Sequence, residues 1–366
     1  MTVHAKYAAL LMAAIGVTAQ AAVPAALQRP ALAVAQPARA NLQAIERAGQ
    51  RLVAAGERGL VIYSDDGGRR WNQAAVPVSV TLTALRFSNE REGWAVGNMG
   101  VVLKTNDAGA SWTKVFDGQG GAALALQAAQ AAIDAARPDP DDAEHPLNRL
   151  LDEAKRLVDE GADKPLLAID LGDDGAVMVA GAYGLAFSSA DGGRSWRAHM
   201  AELPNPDGAT WYGIARRGQE RYLFGEQGLL LRAAGPGVAF ATAASPAAGS
   251  LFGGLTLRDA SLLLYGLRGK VYRSASADAP WHAVGTPVDA SLIGGLQLAD
   301  GTVLLLGVAG QVVVSRDGGR SFANLPLKER FPFTGAAVAP DGSLVLVGTR
   351  GLLRMAPPVT PSHAKS

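Results

Sequence analysis

Residues 93–115 read GWAVGNMGVVLKTNDAGASWTKV. Two short apolar runs flank Gly97-Asn98-Met99-Gly100, and Thr105-x-Asp107-x-Gly109-x-Ser111-Trp112 follows. Two apolar runs joined across a two-residue, glycine-bounded turn read as a β-hairpin. The turn recurs with its first glycine at Gly56, Gly97, Gly181, Gly225, Gly266, Gly307 and Gly348, so four of the six intervals are 41 residues, one is 44 and one is 84. A period near 40 with several short strands per unit is the pattern of a β-propeller. The fold class expected is therefore all-β: a seven-bladed β-propeller.

A second marker sits ten residues after the first glycine, at Asp66, Asp107, Asp191 and Asp317, and an aromatic follows at Trp71, Trp112, Trp196 and Phe322. The fifth unit keeps only the aromatic, Trp281, and the fourth keeps neither. Four units thus carry Ser/Thr-x-Asp-x-Gly-x-x-aromatic, the Asp box or BNR repeat. Its chemistry reads as structural. The carboxylate accepts N–H bonds within its own turn, the glycine supplies a left-handed backbone, and the ring wedges between sheets. Four symmetric copies on separate units do not converge on one substrate, so no catalytic residue is assigned. Within the second unit the strands expected are 82–87, 94–96, 101–105 and 112–116.

The 84-residue interval reads as an insertion. A hidden blade would need a glycine turn near residue 138, where the sequence is Arg-Pro-Asp-Pro-Asp-Asp. Residues 121–136 are alanine-rich, and Leu147, Leu150, Leu151, Ala154, Leu157 and Val158 recur at helical spacing. Pro146 suits a helix start and Gly161 a stop. A helical hairpin at 117–164 is expected between blades two and three. Its apolar stripe is expected to dock on Leu124, Leu126, Ile133 and the propeller rim. The last unit lacks an outer strand, and the segment 26–34 is expected to supply it, because an open sheet edge invites association.

Composition narrows the function. The 366 residues carry a net charge of +1, with 44 glycines and no cysteine. Near-neutral charge gives no global pull on nucleic acid or acidic lipid. Without cysteine there is no disulfide, thiolate metal site or thiol nucleophile. The five histidines have no paired ligand spacing, and Asp139, Asp141, Asp142 and Glu144 lack the calcium-loop pattern. No cofactor or metal is implied. His4 and Lys6, the apolar run 7–17 and Ala19-Gln20-Ala21 read as a signal peptide over 1–21, cleaved after Ala21. The run is shorter than the roughly 20 residues of a membrane span. The expectation is an exported, periplasmic, monomeric protein: propeller at 22–356, disordered tail at 357–366, and no stable membrane insertion.

The string from Gly93 to Trp112 resembles the photosystem II stability/assembly factor family, and the likeness extends over most of 43–355 outside the insertion. The resemblance implies a non-enzymatic assembly factor for an envelope complex, with a surface patch of arginines. Arg58, Arg268 and Arg350 match that patch, each just before the second glycine of its turn. Near the same face the sequence places Tyr183, Trp211, Tyr212, Phe252, Phe331 and Phe333. Arginine with aromatics is the composition of interface hot spots, so Arg58, Arg268, Arg350, Tyr183, Trp211 and Tyr212 are the candidate partner-binding residues. Two alternatives stand. One is a sialidase-like glycoside hydrolase, since Asp boxes also occur in that family. Its arginine triad would have to come from Arg86, Arg216 and Arg258, while Tyr63 and Tyr272 fall in third strands away from the channel. The other is a structural accessory subunit of an envelope transport system.

Overall fold

The computed structural model describes residues 24–172 and 175–357. The expected signal peptide at 1–21 and the tail from 358 onward lie outside the described residues. Six four-stranded and one three-stranded antiparallel sheets, each built from consecutive strands, form seven blades. In the second blade the strands are Leu82–Phe87, Gly93–Gly97, Val102–Thr105 and Thr113–Phe116. The innermost strands contact one another in series, and Phe333–Val338 of the last blade packs on Leu42–Ala48 of the first. The ring is closed, giving the seven-bladed propeller read from the period.

The second strand of each blade shows why the apolar runs do not alternate. Leu262–Gly266, Val303–Gly307 and Leu344–Gly348 are buried at every residue. A strand covered on both faces by neighbouring sheets buries both sets of side chains.

The glycine turns fix the approach of each blade to its incoming chain. In all seven blades the residue after the first glycine donates its N–H to the carbonyl just before the innermost strand, at 2.9–3.1 Å; Asn98 to Thr81 and Glu226 to Thr210 are two examples. At Gly97 a Cβ would lie 2.2 Å from the Thr81 oxygen. The second glycine faces the link that leaves the blade. Gly228 has φ +73°, and a Cβ there would lie 1.9 Å from the Ala247 oxygen.

The Asp box is a local device with an inter-blade consequence. Asp317 accepts from the Ser315 hydroxyl (2.7 Å), the Arg320 and Ser321 N–H groups (both 3.0 Å) and the Ser321 hydroxyl (2.6 Å). Asp66, Asp107 and Asp191 accept from hydroxyl and N–H donors at the same places in their turns. Trp71, Trp112 and Trp196 each donate Nε1–H to the box glycine's carbonyl. That glycine also abuts the preceding blade. A Cβ on Gly109 would lie 3.0 Å from Val53, and one on Gly193 would lie 2.9 Å from Trp94.

The ring closes without strand exchange, contrary to the expectation from sequence. The last blade ends at its third strand, Gly351–Met355. The segment 26–34 lies elsewhere, along the link from blade one to blade two: Ala31 N–H donates to Val76 O (3.0 Å), and Ser79 N–H to Ala26 O (2.8 Å). The Gln73 side chain bridges Val34 and Leu32. Pro30 has no N–H to donate, and the backbone bonds of the segment are made with Val76 and Ser79 of that link instead. Closure rests on side chains. Leu42, Leu52, Ala54 and Ile62 pack against Val345 and Val347. Thr334 Oγ1 donates to Leu42 O (2.8 Å), and Asp341 accepts from both Arg69 and Arg354.

Between blades two and three the chain forms α1 (Gly118–Ala136) and α2 (Pro146–Glu160). Asp117 caps α1 through the Gln119 and Gly120 N–H groups. His145 Nδ1 accepts from Leu147 N–H at the start of α2. Small residues let the helices approach: Ala125, Ala129 and Ala154 are buried among Leu126, Leu150, Leu151, Leu157 and Met200. Leu124 and Ala128 pack with Phe116 and Phe187 of the propeller. The hairpin is therefore docked on the rim.

Two outcomes test this arrangement. Leu27 is 2% exposed against Val76, Val78 and Val80, so Leu27→Ala should cost about 3 kcal/mol in denaturant unfolding. In the Asp boxes, partial burial opposes ionisation of Asp317, but its hydroxyl and N–H donors outweigh it and hold the carboxyl down at about 2. A depressed carboxyl contributes stability that is complete above its unfolded value, roughly 3.9, and is lost as pH falls toward the folded value. Tm should therefore fall between about pH 4 and pH 2, and Asp317→Ala should lower Tm at pH 7 while flattening that acid limb.

Candidate functional site

Five glycine turns hold a non-glycine residue in the left-handed region just before the second glycine. They are Arg58 (φ 53°), Met99 (59°), Tyr183 (56°), Gln227 (52°) and Arg268 (54°). Left-handed backbone costs an L-residue roughly 1–2 kcal/mol. These positions lie on the face that also carries the links between blades and the root of the α1–α2 hairpin. Met99 sits beneath that hairpin, since its carbonyl approaches Gly118. Arg58, Tyr183 and Arg268 are exposed, as is Arg350 at the same place in the last blade.

The ring order decides which of these residues come together. Arg58 and Arg350 are in blades one and seven, which are neighbours across the closing seam. Arg268 is in blade five, two blades from Arg350. The seam gains two further exposed arginines from links. Arg39 ends the 3₁₀ turn Pro37–Arg39, whose Ala38 carbonyl abuts Gly351, and Arg330 precedes the first strand of the last blade. Links follow no repeat register, so the period could not flag them. The signal available was their position, since each lies three residues before the start of an innermost strand.

The aromatics divide. Tyr183 is 59% exposed, with Lys164 Nζ 4.8 Å from its ring centre. Trp211, expected at the partner-binding surface, is fully buried and donates Nε1–H to Gly184 O (3.2 Å). It is the first residue of an innermost strand, where the other blades place Leu or Phe in the core, so blade packing consumes its ring. Phe331 and Phe333 are buried against each other, 4.6 Å between ring centres. Tyr212 is half-buried, edge-on to Phe252 at 5.0 Å, with its hydroxyl 3.4 Å from Glu226. Burial and the Glu226 carboxylate push its phenol up.

Two arrangements bear on catalysis. The inner-strand arginines are already occupied: Arg86 pairs with Glu46 (3.4 Å), Arg216 with Asp170, and Arg258 donates to the Ala299 carbonyl. They do not form an open clamp for a substrate carboxylate. On the outer part of blade three, Ser188 Oγ lies 2.7 Å from His199 Nε2, and His199 Nδ1 lies 3.2 Å from Glu202. Burial pushes the imidazole down, toward its neutral form. The spacing is that of a nucleophile, base and carboxylate. Ser188, however, sits mid-strand between two ladders, opposite Met178 on one side and Arg197 on the other. The backbone of that strand is paired on both sides.

Among known proteins, residues 49–120 match the family model described as photosynthesis system II assembly factor YCF48. No curated protein matches the chain. YCF48 from Cyanidioschyzon merolae is similar in fold, at 14% identity and TM-score 0.61 over 87% of this chain and 96% of that one. A structure of YCF48 bound to D1 peptide shares 17% identity and TM-score 0.61, over 91% and 99% of the two chains. A virginiamycin B lyase from Staphylococcus aureus reaches TM-score 0.64 at 13% identity, over 89% and 97%. At these identities the structural likenesses establish the fold, which an enzyme shares.

Exposure makes a contrast that stability measurements can check. Tyr183→Ala should change unfolding free energy by less than about 0.5 kcal/mol, whereas Trp211→Ala should cost about 3–5 kcal/mol. The chain is a seven-bladed propeller, similar in sequence to the photosystem II assembly factor family over residues 49–120 and similar in fold to YCF48 over most of its length.

Proposed function

We propose that this protein is a non-enzymatic binding factor, exported to the periplasm, that assists assembly or stability of an envelope protein complex through its glycine-turn face. The observation that carries the reading is the left-handed turn position. At Arg58, Tyr183 and Arg268 the fold tolerates glycine and would be less strained with it, yet the chain holds a long side chain there, exposed. Strain kept at an exposed position is the mark of a site used for something other than folding. The YCF48 family match over 49–120 supports the same reading, and so does the structure of that fold bound to a peptide. The near-neutral net charge favours a local recognition patch over bulk attraction. No helix among the described residues is long and apolar enough to cross a membrane.

The seam arginines should contribute to recognition as hot-spot residues. In pull-downs of envelope extract, Arg58→Ala with Arg350→Ala should lose the partners held by wild type. Affinity for an isolated partner should fall at least about tenfold, which corresponds to about 1.4 kcal/mol. Capture of the same partners at unchanged affinity would remove the seam from the site.

A further inference from the structure

The docked hairpin does more than decorate the rim. Between α2 and the turns of blades three and four runs a trough made of two cavities in series, with volumes of about 580 and 690 Å³. They share a wall formed by Tyr183 and the loop 204–208, which contains Pro204 and Pro206. Leu150 and Arg149 of α2 line the first cavity. Glu226, on the turn of blade four, lines the second. Each volume falls within the range of a ligand site, roughly 300–1,000 Å³. Two such volumes on either side of one shared wall suit an elongated occupant that reaches both better than a compact one.

The charges along the trough are not alike at its two ends. At the α2 end, Arg149 Nε is buried and has no hydrogen-bond partner. The carboxylate beside Arg149, Glu144, is 3.8 Å from Nη1, beyond hydrogen-bond reach. The Arg149 side chain as a whole is 40% exposed, so its guanidinium is open to a partner, and a planar carboxylate is the group that a guanidinium pairs with best. Arg156, on the same helix, is already paired with Glu153 at 3.2 Å. At the far end Glu226 brings negative charge, and Asp207 is exposed on the shared loop. Between them stands the half-open ring of Tyr183.

From this geometry we propose that the trough binds an extended peptide segment of a partner protein. The segment places a carboxylate on Arg149, an apolar side chain against Tyr183, Leu150 and Pro206, and a cationic or hydroxyl residue toward Glu226. The proposal rests on the glycine-turn face being the binding face and adds a second subsite, built by the insertion and separate from the seam arginines. The insertion thereby supplies one wall of a recognition groove that the seven repeats alone do not form.

The test uses a randomised octapeptide library displayed on phage, selected on the full chain, with the selected peptides resynthesised for titration. Enriched peptides should carry an acidic residue next to an aromatic or aliphatic one. Arg149→Ala should weaken them at least tenfold, Tyr183→Ser at least fivefold, and Arg58→Ala with Arg350→Ala should leave their affinity unchanged. All three variants are surface changes, and an unaltered thermal transition serves as the folding control. Absence of enrichment overturns the proposal, as do enriched peptides without an acidic residue or unaffected by Arg149→Ala. If acidic peptides are lost in the Arg58/Arg350 variant while Arg149→Ala leaves them unchanged, the site lies at the seam: the binding reading then survives and the trough does not.

Discussion

The structure depends on one close approach repeated seven times. The chain entering each blade presents a carbonyl just before the innermost strand, and the residue after the first turn glycine donates its N–H to it. In six blades a Cβ on that glycine would sit 2.0–2.2 Å from this carbonyl, as at Gly97 against Thr81. The bond ties the second-to-third strand turn of every blade to the start of its own first strand. It thereby sets the radial position of the four strands against the channel. Side-chain packing between blades then builds on a backbone frame that is already fixed.

The Asp boxes do the same at the opposite end of the blade. Each folds its own turn around one carboxylate and sets its glycine against the blade before it, as Gly193 lies against Trp94. Where the box is lost, other contacts substitute. In blade five, Ser274 holds the positions usually tied by the carboxylate through the Ser276 and Ala279 carbonyls, and Arg217 from the preceding blade reaches toward it. A ring held at both ends by such local devices can close by packing alone. This accounts for a seam made of Leu42, Ile62, Val345 and Val347 with the Asp341 ion pairs, and no exchanged strand.

Because folding is secured by glycines and buried strands, the exposed turn positions are free to vary. Around the ring they read Arg58, Met99, Tyr183, Gln227, Arg268, Ala309 and Arg350, a range of chemistry on a recurring turn that is left-handed at this position in five blades. The face is thus divided into sectors. One holds the seam arginines, and another lies beside the docked hairpin, where Tyr183 and α2 form a trough. A rigid scaffold that presents variable turns is well suited to recognition.

Much of the fold was legible in the sequence, since the glycine period and the Ser/Thr-x-Asp-x-Gly motif are backbone requirements that only a few residue types satisfy. Gly97, Asp107 and Trp112 could be placed in a blade from spacing alone, and the proline-flanked leucine stripe marked α2. The candidate site was legible only in part. Arg58, Arg268 and Arg350 share a register, but whether they are neighbours depends on the order of blades around a closed ring. Trp211 shares the region with Tyr212, yet adjacent residues of a strand point to opposite sides, and the core took the larger ring. The segment 26–34 found its place through backbone bonds to 76 and 79, which have no signature in composition. Sequence determined the repeat because each blade is stabilised by local contacts. Tertiary structure decided the seam, the trough and the fate of Arg149, because those depend on which distant surfaces meet when the ring closes and the hairpin docks.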